Sequence, residues 1–276
     1  MLSAQPYSVS YPMPVSVIGP VQARDFAKRA REILMAIETN RSGLGLTDAL
    51  LLVNEQFADG EPRSELRALA ELMVQARRMA LVQQQLDEDR ERLHHGHLGH
   101  DELTEVGHHY EMLRYEACAY NHKLRSFIEA HRELVEREDL TDWLSAASQG
   151  RRQWVVGEIT GAVSEVALHA ALMGLPELRN LRYTTVEEDL MGYDFVAEWQ
   201  GRLVTIDAKT GYYHPLSERK HGHKHLEISV PREELHGFTL TRHGLELLRH
   251  ETRRALTAET AGEFHGPHGH HDRHRR

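Results

Sequence analysis

The sequence predicts a mixed α/β (α+β) protein. A helical N-terminal part carries a long antiparallel helical hairpin, and a mixed central sheet flanked by helices follows it. Three observations carry this reading. Leucines and alanines recur at helical spacing along two long stretches between residues 64 and 138. Two runs of β-branched, aromatic and aliphatic residues flank Gln200-Gly201, which is a hairpin signal. After residue 151 the order is helix, four strands, then helices, an arrangement that buries one face of a sheet under helices.

The elements follow in order. Residues 1–20 are rich in Pro, Ser, Val and Tyr and read as an extended segment. Residues 23–38 form the first helix, and 40–45 break it. Thr47 is an N-cap for a helix over 48–57, because its hydroxyl accepts from a backbone N–H that has no helical partner. Residues 58–62 form a turn. Ser64 opens a helix running to about residue 93, with Leu66, Leu69, Leu72, Met73, Ala76, Ala80 and Leu81 on one stripe. Residues 94–99 interrupt it, and Asp101 caps a second long helix over 101–138. A short helix spans 139–147, and Gln149-Gly150 ends the helical part.

The second part opens with a helix over 153–172, in which Trp154, Val155, Ile159, Val163, Val166, Ala167 and Ala170 recur at helical spacing. Strands are predicted at 181–185, 193–199, 203–209 and 226–230, with a polar loop before the last. Pro231 suits the first turn of a following helix, where its missing N–H costs nothing. The expected divisions are an extended segment 1–20, a helical domain 21–150, a sheet-bearing domain 151–262 and a His-rich tail 263–276.

Composition narrows the function classes. Mean hydropathy is −0.54, and no run approaches the roughly 18 apolar residues of a membrane span. No secretory signal pattern is apparent at the start, so the expectation is a cytoplasmic protein, or one exported without a cleaved signal. Cys118 is the single cysteine, which excludes an internal disulfide framework and a multi-cysteine zinc site. Residues 1–150 hold 16 Lys/Arg against 24 Asp/Glu, and residues 151–276 hold 17 against 18. The acidic excess therefore lies outside the sheet-bearing part. There Arg219, Lys220, Lys224, Arg232, Arg242, Arg249, Arg253 and Arg254 are candidates for phosphate contacts, with about half expected to be ordinary solvated positions.

The chemistry concentrates in the hairpin. A two-residue turn fixes the register with Trp199 opposite Arg202, which sets Asp194 across from Asp207. Lys209 is two residues beyond Asp207 and points to the same face. Directly opposed like charges destabilise a strand pair, whereas a divalent cation would reverse the sign of that interaction. A surface ion pair between Asp207 and Lys209 is the bland alternative. Upstream, Glu158 and Glu165 share a helix face. Glu165 lies in the stretch expected to pack on the sheet, and Glu158 reads as an ordinary exposed acid.

A helix carrying Glu165, a strand, then Gly192-Tyr193-Asp194 and a hydrophobic strand ending Asp207-Ala208-Lys209 resembles the PD-(D/E)xK nuclease superfamily. Tyr193 stands where that family carries proline. The resemblance covers roughly residues 151–235. It implies a restriction-endonuclease-like core and a Mg²⁺- or Mn²⁺-dependent hydrolase acting on phosphodiester bonds, with DNA the expected substrate. By the same likeness Asp194, Asp207 and Glu165 hold the metal, and Lys209 orients or activates the attacking water. The continuation Lys209-Thr210-Gly211-Tyr212 also resembles bacterial toxin nucleases of this fold. That likeness implies an immunity protein as partner and a delivery role for the helical domain. A repair or defence endonuclease is the near alternative, and a non-enzymatic helical interaction protein is the alternative of another class.

The chain has 21 histidines, in clusters that lack HExxH or a comparable fixed spacing, so no zinc site is expected from them. The His-rich end reads as disordered. His214, just past the Asp-x-Lys strand, reads as a loop histidine. GxGxxG and P-loop patterns are absent.

Overall fold

A computed structural model describes residues 20–39, 64–96, 99–210, 216–220 and 222–258. The expected helix at 48–57, the turn at 58–62, His214, most of the N-terminal segment and the His-rich tail lie outside the described residues.

The helical part contains α1 (Pro20–Thr39), α2 (Ser64–His95), α3 (His100–His131) and α4 (Arg137–Ala147). α2 and α3 are each 32 residues long and pack against one another as the expected hairpin. Leu66, Leu69, Leu72, Met73, Ala76 and Ala80 are buried as predicted, but Leu81 is 57% exposed. Met79 and Val82 take its place in the core, because they continue the three-and-four-residue stripe from Ala76 and Leu81 does not.

α3 stops at His131 instead of running to residue 138. The chain leaves the helix there and buries Val135 in the helical core, with Leu134 packed against it. α4 then restarts and buries Leu140, Trp143, Leu144 and Ala147. It ends where Gln149 and Gly150 adopt φ values of 60° and 83°. The Gly150 N–H donates to the Ser145 carbonyl at 2.8 Å, and glycine suits that left-handed position.

α5 (Arg152–Leu172) joins the two parts. Val155, Ile159, Ala162, Val163 and Val166 belong to the helical core, whereas Ala167, Leu168, Ala171 and Leu172 belong to the core beneath the sheet. Among the described residues α5 alone is long and apolar enough to cross a membrane by length and composition, and more than half of its apolar stretch is buried in the protein. Two cores sharing one helix account for that apolarity.

The sheet has strands β1 (Leu178–Tyr183), β2 (Phe195–Trp199), β3 (Arg202–Thr210), β4 (Leu216–Lys220) and β5 (His223–Val230). Their order is β1-β2-β3-β5-β4. β3 and β5 are parallel, and the other pairings are antiparallel, so the sheet is mixed. β1 starts earlier than expected because Leu178 joins the core, with a register shift beside Asn180, whose φ is 52°. The predicted polar loop contains β4, whose charged sequence suits an edge strand. A short helix α6 (Val186–Leu190), absent from the sequence reading, is capped reciprocally by Thr185 and Glu188. Pro231 is extended and precedes a single 3₁₀ turn at Arg232–Glu234. The next α-helix waits until after a small hairpin, β6 (Leu235–His236) with β7 (Thr239–Leu240), and is α7 (Arg242–Thr257).

α5 and α7 cover one face of the sheet through Phe195, Ala197, Val204, Ile206, Leu226, Ile228 and Val230. Strand alternation sends Thr205, Asp207 and Lys209 of β3, with His225 and Glu227 of β5, to the opposite face.

Candidate active site

The β2–β3 turn has the predicted register, with Trp199 opposite Arg202 and Phe195 opposite Ile206. Asp194 precedes β2 by one residue. Its N–H donates to the Ile206 carbonyl at 2.9 Å, and its Oδ2 accepts from the Ala208 N–H at 2.7 Å. The side chain thus occupies the ladder position that β2 would fill if it continued, and it hydrogen-bonds the Asp207 carboxyl. Asp207 Oδ2 is ion-paired to Lys209 Nζ, and the Asp207 side chain is only 12% exposed.

Helix α5 passes the C-terminal end of β3, where Ser164 Oγ lies 3.1 Å from Thr210 Oγ1. Glu165 follows directly and comes close enough for its charge to bear on Asp194. Glu165 Oε2 accepts from Arg125 Nη1 at 2.6 Å. Arg125 is buried, and its guanidinium lies 4.1 Å from the centre of the Tyr183 ring. Glu158 points elsewhere: it is partly buried and bonded to Asn121 and Trp154, not the exposed acid expected.

Burial, then the charges of Glu165 and Asp207, push the Asp194 carboxyl well above the usual carboxylate range. Burial also raises Glu165 against the opposing pull of Arg125. Burial works against the Lys209 ammonium. Its contact with Asp207, with Glu227 and Asp194 beyond, outweighs burial and holds it above the ordinary lysine value. Lys209 is therefore a cation at neutral pH. Cys118 offers no thiolate, since burial pushes its thiol up to about 11.

The sequence reading missed two participants. Glu227 stands beside Asp207 in the parallel β3–β5 register. The alternation of His225-Leu226-Glu227-Ile228 assigned it a face but gave no neighbour. Arg125 lies 40 residues before its partner Glu165, and no local pattern announces it. Of the candidate phosphate-binding cations, Lys224 Nζ donates to the Leu256 and Ala258 carbonyls. Arg249, Arg253 and Arg254 pair with Glu246, Glu177 and Glu251.

Glu165, Asp194 and Asp207 carry oxygen donors of the kind that Mg²⁺ and Mn²⁺ accept, but among the described residues the three acid or histidine side chains that bring ligand atoms within 4.8 Å of one another are Asp207, His225 and Glu227. The neighbouring carboxylates of Asp194 and Asp207, in low-dielectric surroundings, also give a cation something to neutralise. No protein-family model matches the chain, nor does any curated protein or solved structure.

Proposed function

We propose that the chain is a metal-dependent nuclease of the PD-(D/E)xK, restriction-endonuclease-like class, a hydrolase that cleaves DNA internally. The observation that supports this reading is the grouping of Asp194, Asp207 and Lys209 at the C-terminal end of β3, with Glu165 on the helix that passes it. A bound Mg²⁺ or Mn²⁺ would supply an acidified water and neutralise charge on the phosphoryl group. Asp194 and Asp207 would hold the ion, each giving up its present hydrogen-bonding arrangement with the other. Glu165 would contribute through Oε1, because Oε2 serves Arg125. Lys209, as a cation, would orient the attacking water and stabilise the negative charge that develops on the phosphoryl oxygens. Its charged state disfavours a role as the base that takes the water's proton.

The test is Mg²⁺-dependent degradation of plasmid DNA. Lys209→Ala or Asp207→Ala is expected to lower the rate by at least about 100-fold, the scale of losing one preorganised charge-stabilising group. The circular dichroism spectrum should be unchanged. Wild-type cleavage rates in both variants would remove the assignment.

The biological role that accords with Lys209-Thr210-Gly211-Tyr212 and the helical part is an interbacterial toxin effector with a cognate immunity protein. Growth arrest with loss of cellular DNA on expression supports it, and harmless expression of an active enzyme supports a repair or defence endonuclease. Arg125 already neutralises Glu165, which favours a second, non-enzymatic reading in which these charges are structural. Calorimetric titration with Mg²⁺ separates the two, since that reading requires no heat of binding.

A further inference from the structure

The face of the sheet that carries Asp207 holds a second donor set. Asp207, His225 and Glu227 each offer a ligand atom, and these atoms all lie within 4.8 Å of one another. The backbone explains the grouping. In the parallel register Asp207 is paired with Glu227 and Thr205 with His225, so all four side chains rise from neighbouring rungs of one face. Two carboxylates side by side on adjacent strands repel, and Lys209 offsets only part of that, from its place next to Asp207. His225 is fully buried. Its Nδ1 lies 3.0 Å from Thr205 Oγ1. A hydroxyl outside the donor set thus orients the ring in the way outer-shell partners orient metal-ligating histidines.

We infer that Asp207, His225 and Glu227 form a second divalent-cation site that shares Asp207 with the Asp194–Glu165 site. The mixed donor set defines its ion class. Imidazole favours Mn²⁺ or Zn²⁺ over Mg²⁺ and Ca²⁺, whereas the all-oxygen set next to it takes Mg²⁺ readily. A shared carboxylate holds two ions close together, the arrangement used by paired-cation phosphodiester hydrolases. The use of the second ion in hydrolysis rests on the nuclease reading. The binding site itself rests on the geometry.

The experiment counts tightly bound Mn²⁺ on the full chain by calorimetry and by the loss of free-ion paramagnetic resonance signal. It compares the wild type with Glu227→Gln, His225→Asn, the double variant and Asp194→Asn. Histidines elsewhere contribute equally to every variant and cancel. Glu227→Gln, His225→Asn and the double variant should each lose the same single equivalent. Asp194→Asn should keep that equivalent, and Mg²⁺ should compete for it at least tenfold less well than Mn²⁺. An unchanged count in Glu227→Gln overturns the site, and this partly exposed position keeps the test valid if His225→Asn fails to fold. Loss of two equivalents in the double variant overturns it equally, because two independent sites would then be involved. Failure of the nuclease reading has its own signature: the equivalent disappears as expected, while wild-type protein leaves plasmid intact in both Mg²⁺ and Mn²⁺.

Discussion

Asp194 is the residue whose environment does most to define the site. Its carboxyl keeps a proton in the folded state at a pH where the unfolded chain has lost it, because burial and the neighbouring acids raise its pKa. The folded state then binds more protons than the unfolded state. The stabilisation is complete below the unfolded value of about 3.9 and declines as pH rises toward the folded pKa. Asparagine keeps the acceptor for the Ala208 N–H and supplies a donor to Asp207, without the titration. In divalent-free buffer Asp194→Asn should match the wild type near pH 4 and become the more stable as pH rises. The gap should reach about 1.4 kcal/mol per unit of pKa elevation. Urea unfolding at several pH values measures it, and a gap independent of pH would contradict the raised Asp194 carboxyl. Arg125 poses the converse case. Its side chain is 6% exposed against 18% for Glu165, so truncating it strands a buried carboxylate. Arg125→Met should cost about 3 kcal/mol, and the double change Arg125→Met with Glu165→Met should recover most of it. A single-variant loss under about 1 kcal/mol would mean that solvent screens the pair.

At the scale of elements, glycines in different helices predict opposite signs for one substitution. A Cβ at Gly157 in α5 meets nothing within 4 Å. Gly157→Ala should therefore stabilise by roughly 0.5–1 kcal/mol, through the entropy that glycine loses on entering a helix. A Cβ at Gly244 in α7 would stand 2.7 Å from Glu234 Cβ and 3.0 Å from Leu240 Cδ2. Both neighbours belong to the compact turn and hairpin before α7, and the Gly244 N–H is the one that Thr241 caps at 3.0 Å. Gly244→Ala should lose about 1–3 kcal/mol to overpacking, more than helix propensity returns. Thermal unfolding of the two variants side by side decides this, and equal shifts in both would show that packing around α7 is looser than described. Helix boundaries carry the same lesson. The 101–138 stretch has helical composition throughout, yet burying Val135 stabilises the break enough to end α3 at His131.

At the scale of the molecule, the turn at Gln149-Gly150 is a change of chain direction and not an energetic boundary. Val155, Ile159, Val163 and Phe238 lie in the helical core although all four follow that turn. Tyr115, His122 and Arg125 of α3 reach across to Glu187, Asp189 and Glu165. A fragment of residues 151–276 should therefore expose the helical-core side of α5, bind a hydrophobic dye and lack near-ultraviolet dichroism. Cooperative unfolding of that fragment with wild-type sharpness would show that the two cores are independent. If the fragment fails as expected, the helical part is a structural partner of the candidate site.

The sequence by itself determined the helical hairpin, the mixed composition of the second half and the β2–β3 register that sets Asp194 near Asp207 and Lys209. Each depends on neighbours a few residues apart: a two-residue turn admits one register, and a stripe at helical spacing admits one buried face. Tertiary structure alone decided that β5 lies parallel to β3 with β4 outside it, which brings His225 and Glu227 to Asp207. It also decided that α3 lends Arg125 to Glu165, and that the charge of Glu165 bears on Asp194. These placements depend on apolar burial summed over residues far apart in the chain. Many strand orders and helix dockings satisfy the same local patterns, and only the packed core selects among them.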